Sequence, residues 1–214
     1  MGFAVRGLVE EMISVLIPVI RPKRAEKCIE SIYKNAGLSS ELIEIVTKVD
    51  KHRVGCPHMI RQLAERATFE WMAFIGDDCI MQAGCLENAL KAAEQLPDGW
   101  GLVGFNDNLR MAWDRGNVNL NRAPAHWMAH KKLLPLLDGD LFHTGYKHCF
   151  CDNELAMRCA EIGRYVFCRD AMVFHGHPIF DTKYTDPDYE RVYAPDVYVH
   201  DMQLFKRRMA NGWK

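Results

Sequence analysis

The feature that most limits how this chain can fold is a regular alternation of short apolar runs with amphipathic segments through its first half. ISVLIPVI at 13–20 reads as a buried strand. A helix near 24–36 follows, with Cys28, Ile29, Ile32, Tyr33 and Ala36 on one face and Gly37 at its end, and LIEIVTKV at 42–49 is the next strand. A second helix near 58–67, with Met59, Ile60, Leu63, Ala64 and Ala67 on one face, leads into WMAFI at 71–75. A third helix near 84–96 stops at Pro97, ahead of GLVGF at 101–105. Strands alternating with helices of this length predict an α/β fold, a mostly parallel central sheet with helices on both faces.

Composition narrows the function classes. The 214 residues carry 27 Lys+Arg against 28 Asp+Glu, a formal charge of -1, which argues against a general polyanion binder. At 49% hydrophobic residues the chain has enough apolar material for one sizeable core with a small appendage. The most apolar run is eight residues long and contains Pro18, too short to span a bilayer, so no transmembrane segment is expected. MGFAVRGLVEEM at the start lacks a basic n-region and a small-residue cleavage site, and Arg6 breaks a myristoylation motif at Gly2. Eight cysteines, at 28, 56, 79, 85, 149, 151, 159 and 168, form no C-x-x-C pair and read as reduced core thiols of a cytoplasmic protein.

Beyond 106 the pattern loosens into DNLRMAWDRGNVNLNRAPAH, a long surface excursion or irregular edge strand. Order returns with a helix near 152–163, Asp152 at its start and Gly163 past its end, and then the paired runs YVFC and AMVFH. The main domain is expected over 1–178, with 179–214, which includes the basic FKRR at 205–208, as an extension packing on the core.

Four segments carry residues suited to chemistry. FIGDD at 74–78 places Asp77 and Asp78 at the end of a buried strand, where open α/β sheets bind ligands and where carboxylates suit Mg²⁺ or Mn²⁺ carrying phosphate. The same two residues could equally cap the next helix. FHGHP at 174–178 offers His175 and His177; in an extended segment their rings point to opposite sides, so one rather than both should reach a given metal. CDNELAMRCAEIG at 151–163 puts Asp152 and Glu154 at a helix mouth, as a general base or as capping residues favoured by the helix dipole. VDKHRVG at 49–55 sets Asp50 at a strand end with Arg53 after it, suited to a base or ribose and to phosphate, or to loop solvation.

Taken in order, these segments resemble a GT-A glycosyltransferase of the large family-2 type over about 13–178. ISVLIPVIRPKRAEKCIESI is similar to that family's opening strand and helix, with Pro18 after the Val/Ile-rich run. HMIRQLAERATFEWMAFIGDD resembles the helix and strand that lead into its D-x-D metal motif, CDNELAMRCAEIG its catalytic-base helix, and VFHGHP its closing strand. The resemblance implies a GT-A (Rossmann-like) fold and a metal-dependent, inverting transfer of sugar from a nucleoside diphosphate donor, a UDP-sugar, to an acceptor hydroxyl. It implies Mn²⁺ or Mg²⁺ on Asp78, with Asp77 beside it and His175 or its substitute His177 as a further ligand. It also implies Asp152 as base, and Pro18, Asp50 and Arg53 at the nucleotide. Two departures stand out: Gly76 where the first aspartate of D-x-D is usual, and Cys151 before the base in place of glutamate.

The tail DMQLFKRRMANGWK resembles the end of short bacteriophage-encoded glycosyltransferases, which adds modified DNA in the host cytoplasm to glycan, protein and lipid-linked acceptors. The loop 106–126, with Trp113, Arg115, Arg122, His126 and Trp127, is a candidate acceptor surface or lid, or its tryptophans anchor it to the core. A metal-dependent nucleotidyltransferase and a non-catalytic nucleotide-sugar-binding module are the rival readings, though no Gly-rich phosphate loop with a following Lys is present.

Overall fold

The computed structural model describes residues 11–107, 123–178 and 181–214. Seven strands among the described residues form one sheet: β1 (Ile13–Val19), β2 (Ile43–Val49), β3 (Trp71–Phe74), β4 (Cys79–Met81), β5 (Leu102–Asp107), β6 (Trp127–His130) and β7 (Tyr165–His175), in the order β2-β1-β3-β6-β5-β7-β4. β1 pairs in parallel with β2 and β3, and β5 with β7, while β6 runs against both β3 and β5 and β4 runs against β7. Five strands therefore point one way, and the mostly parallel α/β sheet expected from the alternating pattern is present.

Six α-helices surround it among the described residues: α1 (Pro22–Asn35), α2 (Cys56–Ala64), α3 (Cys85–Ala93), α4 (Cys151–Glu161), α5 (Pro187–Val192) and α6 (Pro195–Ala210). None is long and apolar enough to cross a membrane. Strand period decides which residues meet which helices. Ile13, Val15 and Ile17 face a cluster with Cys28 and Ile32 of α1 and with Leu86 and Ala89 of α3. Leu16, between them, faces the opposite cluster with Ile60 and Leu63 of α2, Trp127, and Leu155 of α4. Each fully buried aliphatic side chain of this kind is worth about 1.5–3 kcal/mol. Gly37, which ends α1 at φ +80°, is required twice over, because a Cβ there would also stand 2.9 Å from the Cα of Gly84 at the start of α3.

Three elements differ from the sequence expectation. YVFC and AMVFH are not two paired runs but one strand, β7, lying along β5; the register jumps from Phe105 opposite Cys168 to Asn106 opposite Met172. The residues between bulge out, and the Asn106 side chain donates to the Arg169 carbonyl at 2.9 Å. β6 lies where an irregular excursion was expected to end, and β4 is only three residues long, below the length at which alternation is readable.

The segment after 186 is tied to α4 by a buried polar network. Arg208 donates to both oxygens of Glu154 at 2.8 Å, the Tyr146 hydroxyl donates to Glu154 at 2.8 Å, and Arg208 also donates to the Trp213 carbonyl. Arg208 is thus an internal residue rather than part of a surface basic cluster, and Glu154 serves packing rather than acid–base chemistry. Removing one partner of such a pair strands the other charge away from water. Arg208→Ala should lower unfolding stability by about 3–5 kcal/mol in urea titrations, and the double variant Arg208→Met/Glu154→Leu should recover most of that loss.

Candidate active site

β1, β2 and β3 are parallel, and β7 shares their direction because β6 reverses the chain between β3 and β5. Their last residues, Val19, Val49, Phe74 and His175, therefore lie along one edge of the sheet, where open α/β folds bind ligands. After β3 the chain turns at Gly76–Cys79, closed by the Cys79 N–H donating to the Gly76 carbonyl at 3.1 Å, and returns as β4. The register of β4 on β7 sets Cys79 directly opposite His175. Sheet register thus brings Asp78 to His175, nearly a hundred residues away in sequence.

Asp77 and Asp78 are both almost wholly buried and have different tasks. Asp77 Oδ2 accepts from the backbone N–H of Ile20 at 2.7 Å and of Arg21 at 2.6 Å, so it holds the loop from β1 to α1. Asp78 Oδ2 accepts from the Tyr189 hydroxyl at 2.5 Å, and its Oδ1 lies 3.5 Å from His175 Nε2. Arg21 joins the two, with Nη1 3.1 Å from Asp77 Oδ1 and 3.5 Å from Asp78 Oδ2. The same guanidinium lies over the Tyr189 ring at 4.6 Å and grips Asp186 with Nε at 2.6 Å and Nη2 at 3.1 Å. Burial and the neighbouring Asp78 raise the Asp77 pKa. Burial also works against Asp78, but His175, Tyr189 and Arg21 together outweigh it and hold that carboxyl well below the usual range.

The remaining sequence candidates surround the same edge. Pro18 lies at the end of β1, past the last residue that pairs with β3. Asp50 is 3% exposed, and its two oxygens accept from the N–H groups of Val54 at 2.9 Å and Gly55 at 3.0 Å, closing the loop that carries Arg53. Arg53 is itself left-handed, at φ 54°, and its Nε lies 3.3 Å from Asp188. Asp152 stands half-buried in the first turn of α4, accepting from the Asn153 N–H at 3.0 Å. Cys56, at the start of α2, is pushed well up by burial and then by the charges of Asp152, Asp77, Asp50 and Asp78. Beside the Asp50 loop a cavity of about 370 Å³ opens, lined by Arg53, His58, Lys147, Arg191 and His200 among others, with Asp188 3.3 Å from Arg53 and 3.8 Å from Arg191.

The two histidines of FHGHP are placed differently from the extended expectation. The His177 N–H donates to the His175 carbonyl at 2.9 Å, a three-residue turn that brings the rings to 5.2 Å instead of sending them to opposite faces. His177 Nε2 pairs with the Tyr193 hydroxyl at 3.1 Å, while His175 faces Asp78. Of the expected acceptor loop, Trp113, Arg115 and Arg122 lie outside the described residues. Trp127 is fully buried against Phe142 and anchors the core, and His126 lies inside the site, its ring 4.9 Å from that of His175. Sequence reasoning passed over Arg21 and Tyr189. Arg21 directly follows a strand end and could have been found by the rule that located Asp78; Tyr189 has no local signal.

The arrangement suits a divalent cation. Two ligands that bond one cation at about 2.1 Å sit about 3 to 3.5 Å apart, and Asp78 Oδ1 and His175 Nε2 have that separation. The Tyr189 hydroxyl, 3.2 Å from His175 Nε2, bridges the pair and fixes their spacing.

No protein-family model and no curated protein matches the chain. Solved structures do. A mannosyltransferase, PcManGT from Pyrobaculum calidifontis, in complex with GDP-Man and Mn²⁺, is 16% identical with a TM-score of 0.57, covering 76% of this chain and 56% of its own. TarS 1-349 of S. aureus in complex with UDP is 12% identical with a TM-score of 0.56, covering 76% of this chain and 60% of its own. This chain thus spans little more than half the length of these neighbours. At such identities the likeness is one of fold, and the fold is GT-A-like.

The histidines give the structure a pH dependence. Desolvation lowers His148 and His177 from 6.5 to about 4, partly opposed at His148 by Asp201 and reinforced at His177 by His175. Both are neutral when folded but take up protons near pH 6.5 when unfolded, so stability is full above that pH and falls as pH drops from 6.5 towards 4. Calorimetric melting between pH 7.5 and 4.5 should show this decline. His148→Gln should flatten the slope by up to about 1.4 kcal/mol per pH unit.

Proposed function

We propose that this chain is a metal-dependent glycosyltransferase that moves a sugar from a nucleoside diphosphate donor, a UDP-sugar, to an acceptor hydroxyl with inversion at the anomeric carbon. The observation that carries this reading is the meeting of Asp78 and His175, 3.5 Å apart, at the strand-end edge of a GT-A-like sheet, with Asp77 beside them holding the loop after β1. The neighbours described with GDP-Man and Mn²⁺ and with UDP support it.

In this reading Asp50 receives the base or ribose and Arg53 meets phosphate, beside the end of β1 at Pro18. Asp77 keeps the backbone after β1 in place, and Asp78 with His175 holds Mn²⁺ or Mg²⁺, His177 standing next to them. When bound, the cation supplies Lewis-acid stabilisation of the charge that grows on the departing diphosphate. Asp152 accepts the acceptor hydroxyl proton as its oxygen bonds the anomeric carbon and the bond from that carbon to the diphosphate oxygen breaks. The catalytic unit is placed in 1–178, with 179–214 as an extension that contributes Asp186 and Tyr189 to the site wall. Modified phage DNA, glycans, proteins and lipid-linked chains are the classes to screen, in a cytoplasmic setting.

Calorimetric titration should show UDP binding in the presence of Mn²⁺ that is abolished by EDTA and by Asp78→Ala. Metal-independent binding, or binding unchanged in the variant, would remove Asp78 from the donor site. Asp152→Asn should keep UDP affinity within about two-fold while release of UDP from the sugar donor falls about 10²–10⁴-fold; near-normal turnover would exclude Asp152 as the base.

A further inference from the structure

The turn that carries Asp78 also builds a second donor set of a different chemical kind. Cys79 Sγ lies 3.1 Å from His126 Nε2, and one ligand atom from each of Cys79, His126 and His175 falls within 4.8 Å of the others. The three come from separate parts of the fold: the start of β4, the residue before β6 and the end of β7. Gly76 borders two of them together with Asp78: a Cβ there would stand 2.9 Å from Asp78 Oδ1, 3.2 Å from His126 Nε2 and 3.5 Å from Cys79 Sγ. Three potential ligand atoms thus surround a space that exists because residue 76 lacks a side chain.

A carboxylate also stands behind one of the rings. Asp107, fully buried at the end of β5, lies 3.6 Å from His126 Nδ1, which leaves Nε2 directed at Cys79. A carboxylate behind the distal ring nitrogen is the usual way of fixing the tautomer of a ligating histidine.

We propose that Cys79, His126 and His175 form a site for a thiophilic divalent cation of the Zn²⁺ class, with Asp78 Oδ1 or water in the fourth position. One sulfur and two imidazole nitrogens select Zn²⁺ or Co²⁺ over Mg²⁺, which takes oxygen ligands. The fourth position is within reach, since Asp78 Oδ1 lies 3.8 Å from Cys79 Sγ. Because His175 belongs to both sets, a soft cation here competes with a hard cation at Asp78. The Cys79–His126 pair thereby makes the identity of the bound metal a property of this chain.

The test uses full-length, chelator-stripped protein titrated with Co²⁺ in the absence of nucleotide, followed by absorption. One equivalent should give the thiolate-to-cobalt charge-transfer band and the visible bands of a tetrahedral site, displaced by Zn²⁺ but not by Mg²⁺. Cys79→Ser should abolish the charge-transfer band, and Asp107→Asn should weaken binding about 10- to 100-fold. Should Cys79→Ser fail to fold, His126→Gln, which removes a ligand nitrogen and keeps the cysteine, should weaken Co²⁺ binding at least ten-fold. Absence of the band, or a band that survives Cys79→Ser because one of the other cysteines supplies it, would overturn the proposal and leave a plain S–H···N hydrogen bond. The readout needs no UDP, so it is independent of the glycosyltransferase reading.

Discussion

Two adjacent carboxylates with almost no solvent exposure cannot both be ionised unless the surrounding structure supplies compensating charge, and most of this site follows from how the chain meets that demand. Asp77 and Asp78 are pushed in opposite directions, the first upward by burial and by its neighbour, the second downward by His175, Tyr189 and Arg21. The same groups that stabilise the charge determine the geometry. Two backbone N–H groups on Asp77 hold the end of β1 in place, and Arg21 spans both aspartates to Asp186. The segment after 186 is therefore drawn across the sheet edge by electrostatics at one end and by the Arg208–Glu154 pair at the other.

That segment also organises the approach to α4. Asp201, fully buried on α6, accepts from the backbone N–H groups of Lys147, His148 and Cys149 at 2.8–2.9 Å. Phe150 follows in the left-handed region at φ 64°, stacked on Phe205, and Asp152 stands two residues on. The position of the proposed base is thus set by residues some fifty positions later. A change in α6 should be felt as a displacement of Asp152 as well as a loss of packing.

Much of this was legible in the sequence, for identifiable reasons. The β1–α1–β2 opening and α2 to β3 follow from long, strongly periodic segments, and the strand-end rule located Asp50, Asp77 and Asp78. β6 was hidden because WMAH is four residues long and follows a polar stretch, and β7 was split because its bulge at Arg169 and Asp170 interrupts the apolar run. The relation of His175 to His177 depended on a turn that no residue type announces. The cationic and phenolic partners of the aspartates, Arg21 and Tyr189, are 168 positions apart and meet only through the tertiary fold. Gly76 was noted as a missing aspartate; the structure gives it a positive role, as the opening between Asp78, Cys79 and His126.

In the proposed glycosyltransferase the edge formed by β1, β2, β3 and β7 receives a nucleotide whose diphosphate meets a cation at Asp78. A crystal structure grown with UDP and Mn²⁺, with data collected at the manganese edge, tests this most directly. The expected result is an anomalous peak about 2.1–2.2 Å from an Asp78 oxygen, with His175 as a further ligand, the Tyr189 hydroxyl displaced, and the uracil beside the Asp50 loop. Nucleotide and manganese bound away from the strand ends, with the Tyr189–Asp78 hydrogen bond intact, would contradict it.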